Sequence, residues 1–124
     1  MSKSDALRLP EYLGHIIEAI ERIHRYVDDM SEVEFLSDQK TQDAVIRNFE
    51  NIGEASRNIE RYHHQFAEDH GYLPLGFAYE MRNALSHGYF RVDLEIVWKT
   101  IHSNLPELYT LIKLLLEKIK QPDH

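Results

Sequence analysis

A guanidinium, an imidazole and a phenol stand close together in the run Met81-Arg82-Asn83-Ala84-Leu85-Ser86-His87-Gly88-Tyr89. Arginine offers a planar fork of donors that matches two phosphate oxygens at once. Histidine titrates near neutral pH and can give or take a proton there. The residue types therefore point to phosphate recognition beside acid–base chemistry. Arg82 and His87 are five positions apart, which is roughly 140° around an ideal helix. Arg82, Ser86 and Tyr89 would instead share a face, at offsets of four and seven. Arg82 and His87 converge only if the helix loosens or ends between them. Gly88 suits such an end, because it takes the left-handed conformation without a side-chain penalty. The spacing predicts His87 at a helix C-terminus, where the helix dipole favours its protonated form. On these residues alone, a helix that simply ends there, with Tyr89 packed against it, explains the same spacing.

The elements that must position this run read as helices. After Pro10, which suits a first helical position, Leu13, Ile16, Ile17, Ile20, Ile23, His24 and Val27 recur at helical spacing and predict a helix to about Asp29. Residues 30–39 read as a turn with a short helical piece, where Ser31-Glu32-Val33-Glu34 has the form of a capping box. Ser37 or Asp38 then caps a second long helix with Val45, Phe49, Ile52, Ala55, Ile59 and Tyr62 on one face. Gly53 in its interior costs roughly 1 kcal/mol relative to alanine, which suggests a close helix crossing. Arg47, Arg57 and Arg61 fall off the apolar stripe and read as a solvated face or as the lining of a nucleic-acid path. His63, His64 and His70 lack the i,i+4 partner that puts two imidazoles on one helical face, so no metal site is expected there. Pro74 opens a third helix carrying Leu75, Ala78, Met81 and Leu85, with Arg82 near its buried side. Asp93 is the expected N-cap of the last helix. There Leu94, Val97, Trp98, Ile101, Leu105, Leu108, Ile112, Leu115 and Ile119 step by three and four, as in a bundle seam. Pro106 should kink that helix or split it, with Ser103 or Asn104 capping the second piece. Trp98 reads as core rather than as a stacking platform. The expected fold is all-α, a bundle of four to five helices.

Composition narrows the class. At 124 residues with 43% hydrophobic residues, the chain is long enough for one domain around one core. It has no cysteine, so disulfides, thiolate chemistry and cysteine-bound zinc are excluded. The first residues are polar, and no apolar run approaches the roughly 18 residues that would suggest a membrane span. A cytoplasmic protein with no membrane partner is the expectation. The net charge of −7 opposes broad coating of nucleic acid, since non-specific binding rests on neutralised phosphates. A local basic cleft remains open to it. Between Arg82 and His102, Arg82, Arg91 and Lys99 outnumber Asp93 and Glu95.

Arg82-Asn83-(Ala84-Leu85-Ser86)-His87-Gly88-Tyr89 has the form R-(polar)-x3-H-x-Y. It resembles the motif of HEPN-domain ribonucleases, specifically the HepT-type toxins paired with an MntA-type minimal nucleotidyltransferase antitoxin. Flanking residues extend the likeness: Asp43-Ala44-Val45-Ile46-Arg47-Asn48 with Ile52-Gly53-Glu54-Ala55 upstream, and Val92-Asp93-Leu94-Glu95-Ile96-Val97-Trp98 downstream. It covers residues from about 10 to 115, within a single domain whose core spans about 10–119. The resemblance implies a homodimeric HEPN-type bundle that is the toxin of a type VII-like toxin–antitoxin system. It implies a metal-independent endoribonuclease that acts on RNA and not DNA and uses no cofactor. Arg82 and His87 are then catalytic, Asn83 is auxiliary, and Tyr89 is the acceptor of AMP groups from the nucleotidyltransferase. The alternative is a non-catalytic HEPN subunit that binds nucleotide or protein within a nucleotidyltransferase complex.

Overall fold

The apolar stripes read from the sequence become three long helices sharing one hydrophobic cluster. The computed structural model describes residues 7–73 and 94–120, the last in its backbone alone. These residues form five helices and no strand, an all-α architecture as expected: α1 Leu9–Val27, α2 Glu32–Leu36, α3 Gln39–Tyr62, α4 His64–Asp69 and α5 Leu94–Lys120. The helix expected to open at Pro74 lies outside the described residues, and so do Arg91 and Asp93.

Helix α1 buries Leu13, Ile16, Ile17, Ile20, Ile23 and Val27, together with Tyr12 and Ala19. His24, at the edge of this stripe, is half-buried. The helix stops at Val27 rather than Asp29, because Asp28 turns extended and Asp29 enters the left-handed region at φ 61°. Aspartate tolerates that conformation better than most side chains. The Ser31 capping box forms as its sequence requires. Ser31 Oγ accepts from the Glu34 N–H at 3.2 Å, and Glu34 Oε1 accepts from the Ser31 N–H at 2.9 Å. Two reciprocal bonds thus start the five-residue α2, whose Phe35 is fully buried.

Of the two candidate caps for α3, Asp38 is the one used. Its carboxylate accepts from the Thr41 N–H at 3.1 Å and from the Thr41 hydroxyl at 2.8 Å. Val45, Phe49, Ile52, Ala55 and Ile59 are buried as a stripe, with Gly53 beside them, while Arg47, Arg57 and Arg61 are exposed. Helix α5 contributes Val97, Ile101, Leu105, Leu108, Ile112 and Leu115 to the core, but Ile119 is 40% exposed. Pro106 does not split the helix; α5 runs through it without a break. Pro106 and His102 both face solvent, so the carbonyl left without an i+4 donor is on the side where water can satisfy it. Ser103 consequently caps nothing. Its hydroxyl donates back to the Lys99 carbonyl at 2.8 Å.

Helix α5 lies antiparallel to α1. Trp98 near its start meets Phe35 at 5.4 Å between ring centroids, and further along the Tyr109 hydroxyl donates to Glu21 of α1 at 2.9 Å. That bond to a carboxylate holds the phenol proton in place and pushes its pKa above the ordinary value. Among the described residues no helix is long and apolar enough to cross a membrane.

Candidate functional site

Arg82, Asn83, His87 and Tyr89 lie outside the described residues. Leu73, on the near side of that run, is buried, and its neighbour Tyr72 shares a groove with Leu111, Leu114 and Lys118 of α5. Leu94, on the far side, begins the same helix at its opposite end. Just beyond, Trp98 is half-buried, packing on Phe35 and meeting the exposed His102 in a tilted contact with ring centroids 4.2 Å apart. It is therefore core on one side and surface on the other. Lys99 and His102 are exposed next to it, with Glu32 and Glu95 lining the same shallow groove. Glu95 already stands in the charge balance read from the sequence; Glu32, brought in from α2, adds a second carboxylate beside Lys99.

A different part of the chain carries a built cavity. Helix α3 ends at Tyr62, His63 caps it, and α4 begins at once with His64, folding the chain back on the last turns of α3. Between them lies a cavity of about 320 Å3 whose apolar lining includes Ile59, Phe66, Ala67 and Leu73. His70 stacks on Phe66 with centroids 4.0 Å apart and planes at 20°, so aromatic surface forms part of the wall. Glu60 and His64 belong to this cavity and also to a second, open one of about 350 Å3 lined by Arg57 and Arg61.

The histidines of this segment are each held by a separate partner. His63 Nε2 lies 3.0 Å from the Leu7 carbonyl and so donates to it. His70 Nδ1 donates to the Phe66 carbonyl at 2.9 Å. His64 meets the Glu68 carboxylate at 3.1 Å. Neither Arg57 nor Arg61 forms an ion pair among the described residues; the Arg61 guanidinium rests 5.2 Å from the centre of the Tyr62 ring. A third, more polar groove runs along the α1–α3 seam between Tyr12, His15, Asn51 and Asn58, where Arg22 is already tied to Glu18.

Residues 16–115 match the HepT-like family, described as Ribonuclease HepT-like. The chain belongs to the HepT-like ribonuclease family. Over 98 residues it is 43% identical to a protein of Thermococcus cleftensis named a probable ribonuclease HepT, covering 79% of this chain and 86% of that one. A candidate RNase of Caldanaerobacter subterraneus subsp. tengcongensis is 36% identical over 109 residues, with 88% and 95% covered. A protein of Methanocaldococcus jannaschii, named as a gamma-glutamylcyclotransferase and candidate RNase, is 38% identical over 108 residues, or 87% of this chain. The HepT-like chain spans only about half of that relative, 47% of its length. No solved structure matches the chain significantly.

The HepT-like match contains the Arg82–Tyr89 run and the α3–α4 cavity alike. The cavity is the part that periodicity could not reveal. Its signal in the sequence is the density of His, Phe and Tyr from Tyr62 to Tyr72, which suits a frayed end as well as a pocket.

Proposed function

We propose that this chain is a HepT-type endoribonuclease and the toxin of a type VII-like toxin–antitoxin pair. The observation that carries the proposal is the intact run Arg82…His87…Tyr89 within the residues matched by the family. In the proposed reaction the ribose 2′-oxygen bonds to the adjacent phosphorus and the bond to the 5′-oxygen breaks. The products carry a 2′,3′-cyclic phosphate and a 5′-hydroxyl. Arg82, charged at any working pH, holds the phosphate and offsets its developing charge. His87 takes the 2′-proton. The leaving 5′-oxygen needs a proton in the same step, and one histidine cannot easily serve both ends. A two-fold homodimer answers this, because an isologous interface brings both copies of Arg82 and His87 to one axis. Asn83 orients the substrate or the imidazole. No metal takes part in this scheme, and the protein works as a single domain in the cytoplasm.

Control falls to Tyr89. Its phenol oxygen attacks the α-phosphate of ATP held by an MntA-type nucleotidyltransferase, pyrophosphate leaves, and the phenol proton passes to solvent. The attached AMP brings negative charge next to Arg82 and fills the RNA path. The net charge of −7 favours a second reading, a non-catalytic subunit that binds nucleotide or protein in the same complex.

Purified protein should cleave RNA in EDTA and leave cyclic phosphate ends. Arg82→Ala and His87→Ala should each lower the rate by about 10²–10⁴-fold with unchanged helical circular dichroism. Light scattering should report a dimer. Co-expression with the nucleotidyltransferase should add AMP to the Tyr89 peptide of wild type and not of Tyr89→Phe. Activity that survives both alanine variants, or is lost with EDTA, overturns the mechanism. A wild type that cleaves no RNA yet binds the nucleotidyltransferase supports the second reading.

A further inference from the structure

The α3–α4 end offers two adjoining surfaces of different chemistry. One is the apolar cavity with the stacked Phe66–His70 pair in its wall; the other is the open cavity of Arg57 and Arg61, and His64 and Glu60 line both. Base and phosphate are joined in the same relation within a single nucleotide, a flat apolar ring a few ångströms from an anion. Each cavity is at the lower end of small-molecule sites, roughly 300–1,000 Å3. The electrostatics agree. Arg57 and Arg61 have no ion-pair partner among the described residues, whereas His64 is engaged with Glu68. The open cavity thus sets two guanidiniums beside the one carboxylate of Glu60, while Glu68, engaged by His64, lines the apolar cavity next to it. The two arginines are four apart on α3, so their like charges repel unless an anion lies between them.

We propose that this end of the bundle is a nucleotide subsite. The base stacks against Phe66 and His70, and the phosphate is held by Arg57 and Arg61. Aromatic stacking and guanidinium contacts together are how single-stranded nucleic acid is gripped without sequence preference. The nucleotide is a unit of the RNA strand, and a free nucleotide such as AMP has the same chemistry. The subsite rests on the ribonuclease reading only for which of these supplies it.

The test uses a fluorescein-labelled 2′-O-methyl oligoadenylate, which has no free 2′-hydroxyl to react, followed by anisotropy across a salt series. AMP, followed by broadening of its NMR signals, is the second probe. Arg57→Ala/Arg61→Ala should bind the oligonucleotide about tenfold more weakly, with a salt dependence shallower by about 0.7 for each phosphate no longer neutralised. Phe66→Leu keeps apolar volume and removes stacking, so it should weaken binding several-fold without changing the salt dependence. Circular dichroism should be unchanged in both. Weaker binding of the oligonucleotide, with or without AMP, supports the RNA strand as the source. Weaker binding of AMP alone assigns the subsite to free nucleotide. Unchanged affinity for both probes in these variants, or no binding of either probe by wild type, overturns the proposal. Cleavage by the double arginine variant with unaltered binding removes the subsite and leaves the nuclease standing. Binding through Arg57 and Arg61 by a wild type that cleaves nothing does the reverse.

Discussion

Along α1, α3 and α5 the chain buries isoleucine, leucine and phenylalanine side chains completely, whereas α4, one residue beyond α3, buries none. The long helices are held by area removed from water, repeated every third or fourth residue. At the α3–α4 end Phe66 only packs on the edge of the core, and short polar links are added to it: His63 to Leu7 across the chain, and His70 to Phe66 and Gln65 to Asp69 at one-turn spacing. Burial is distributed and cooperative, so it makes a scaffold. Separate hydrogen bonds leave surface unfilled between them, and unfilled surface with mixed chemistry is what a ligand can use.

The sharpest way to break this comparison is to delete one ring from each region. Phe49→Ala removes a side chain with no exposed surface and should cost about 3–5 kcal/mol in urea unfolding. Phe66→Ala, from the half-buried wall of the cavity, should cost about 1 kcal/mol. Equal destabilisation would mean that the α3–α4 end belongs to the same packed core. Next in size is Pro106→Ala, which restores an N–H to the exposed face of α5. A gain of about 1–3 kcal/mol is expected, seen as a higher thermal midpoint; no gain would show that the helix has fully accommodated the ring. The smallest effects belong to the caps. Ser31→Ala should cost about 1 kcal/mol. Backbone and hydroxyl donors from Ser31 and Thr41 hold the Glu34 and Asp38 carboxyls below their ordinary values. A folded pKa below the unfolded one stabilises above the ordinary carboxylate range, roughly pH 4, and that contribution fades as pH falls through the folded value. Thermal midpoints of Glu34→Gln and Asp38→Asn should therefore fall less steeply than those of wild type as the pH is lowered below about 4.

The α5 seam is legible in the sequence because period and burial coincide: Val97, Ile101, Leu105, Leu108 and Ile112 share one stripe in both. The Ser31 capping box is legible because its bonds are local, three residues apart. Pro106 is legible only in part: it leaves α5 unsplit, since a breaker on the solvent side of a helix leaves a carbonyl that water can serve. Trp98 is only half legible, because periodicity gives the side of a helix and not how much of a large ring that side covers. The α3–α4 cavity is legible only as a density of aromatic residues; it exists once α4 has turned back on α3, and no repeat encodes that turn. Arg82, Asn83, His87 and Tyr89 stand on residue types and a resemblance, and the family match supports the resemblance as a whole.

The connection between α1 and α3 has a consequence for how the chain is made. Only residues 28–38 separate these two helices, whereas residues 63–93 separate α3 from α5. Closing the shorter loop costs less entropy, and synthesis delivers the chain in the same order. The α1–α3 hairpin can therefore form on the ribosome while the apolar strip that Ile101, Leu105, Leu108 and Ile112 will cover is still open to water. During that interval the nascent chain presents a greasy stripe, a natural place for a chaperone to hold it until α5 emerges and closes the seam.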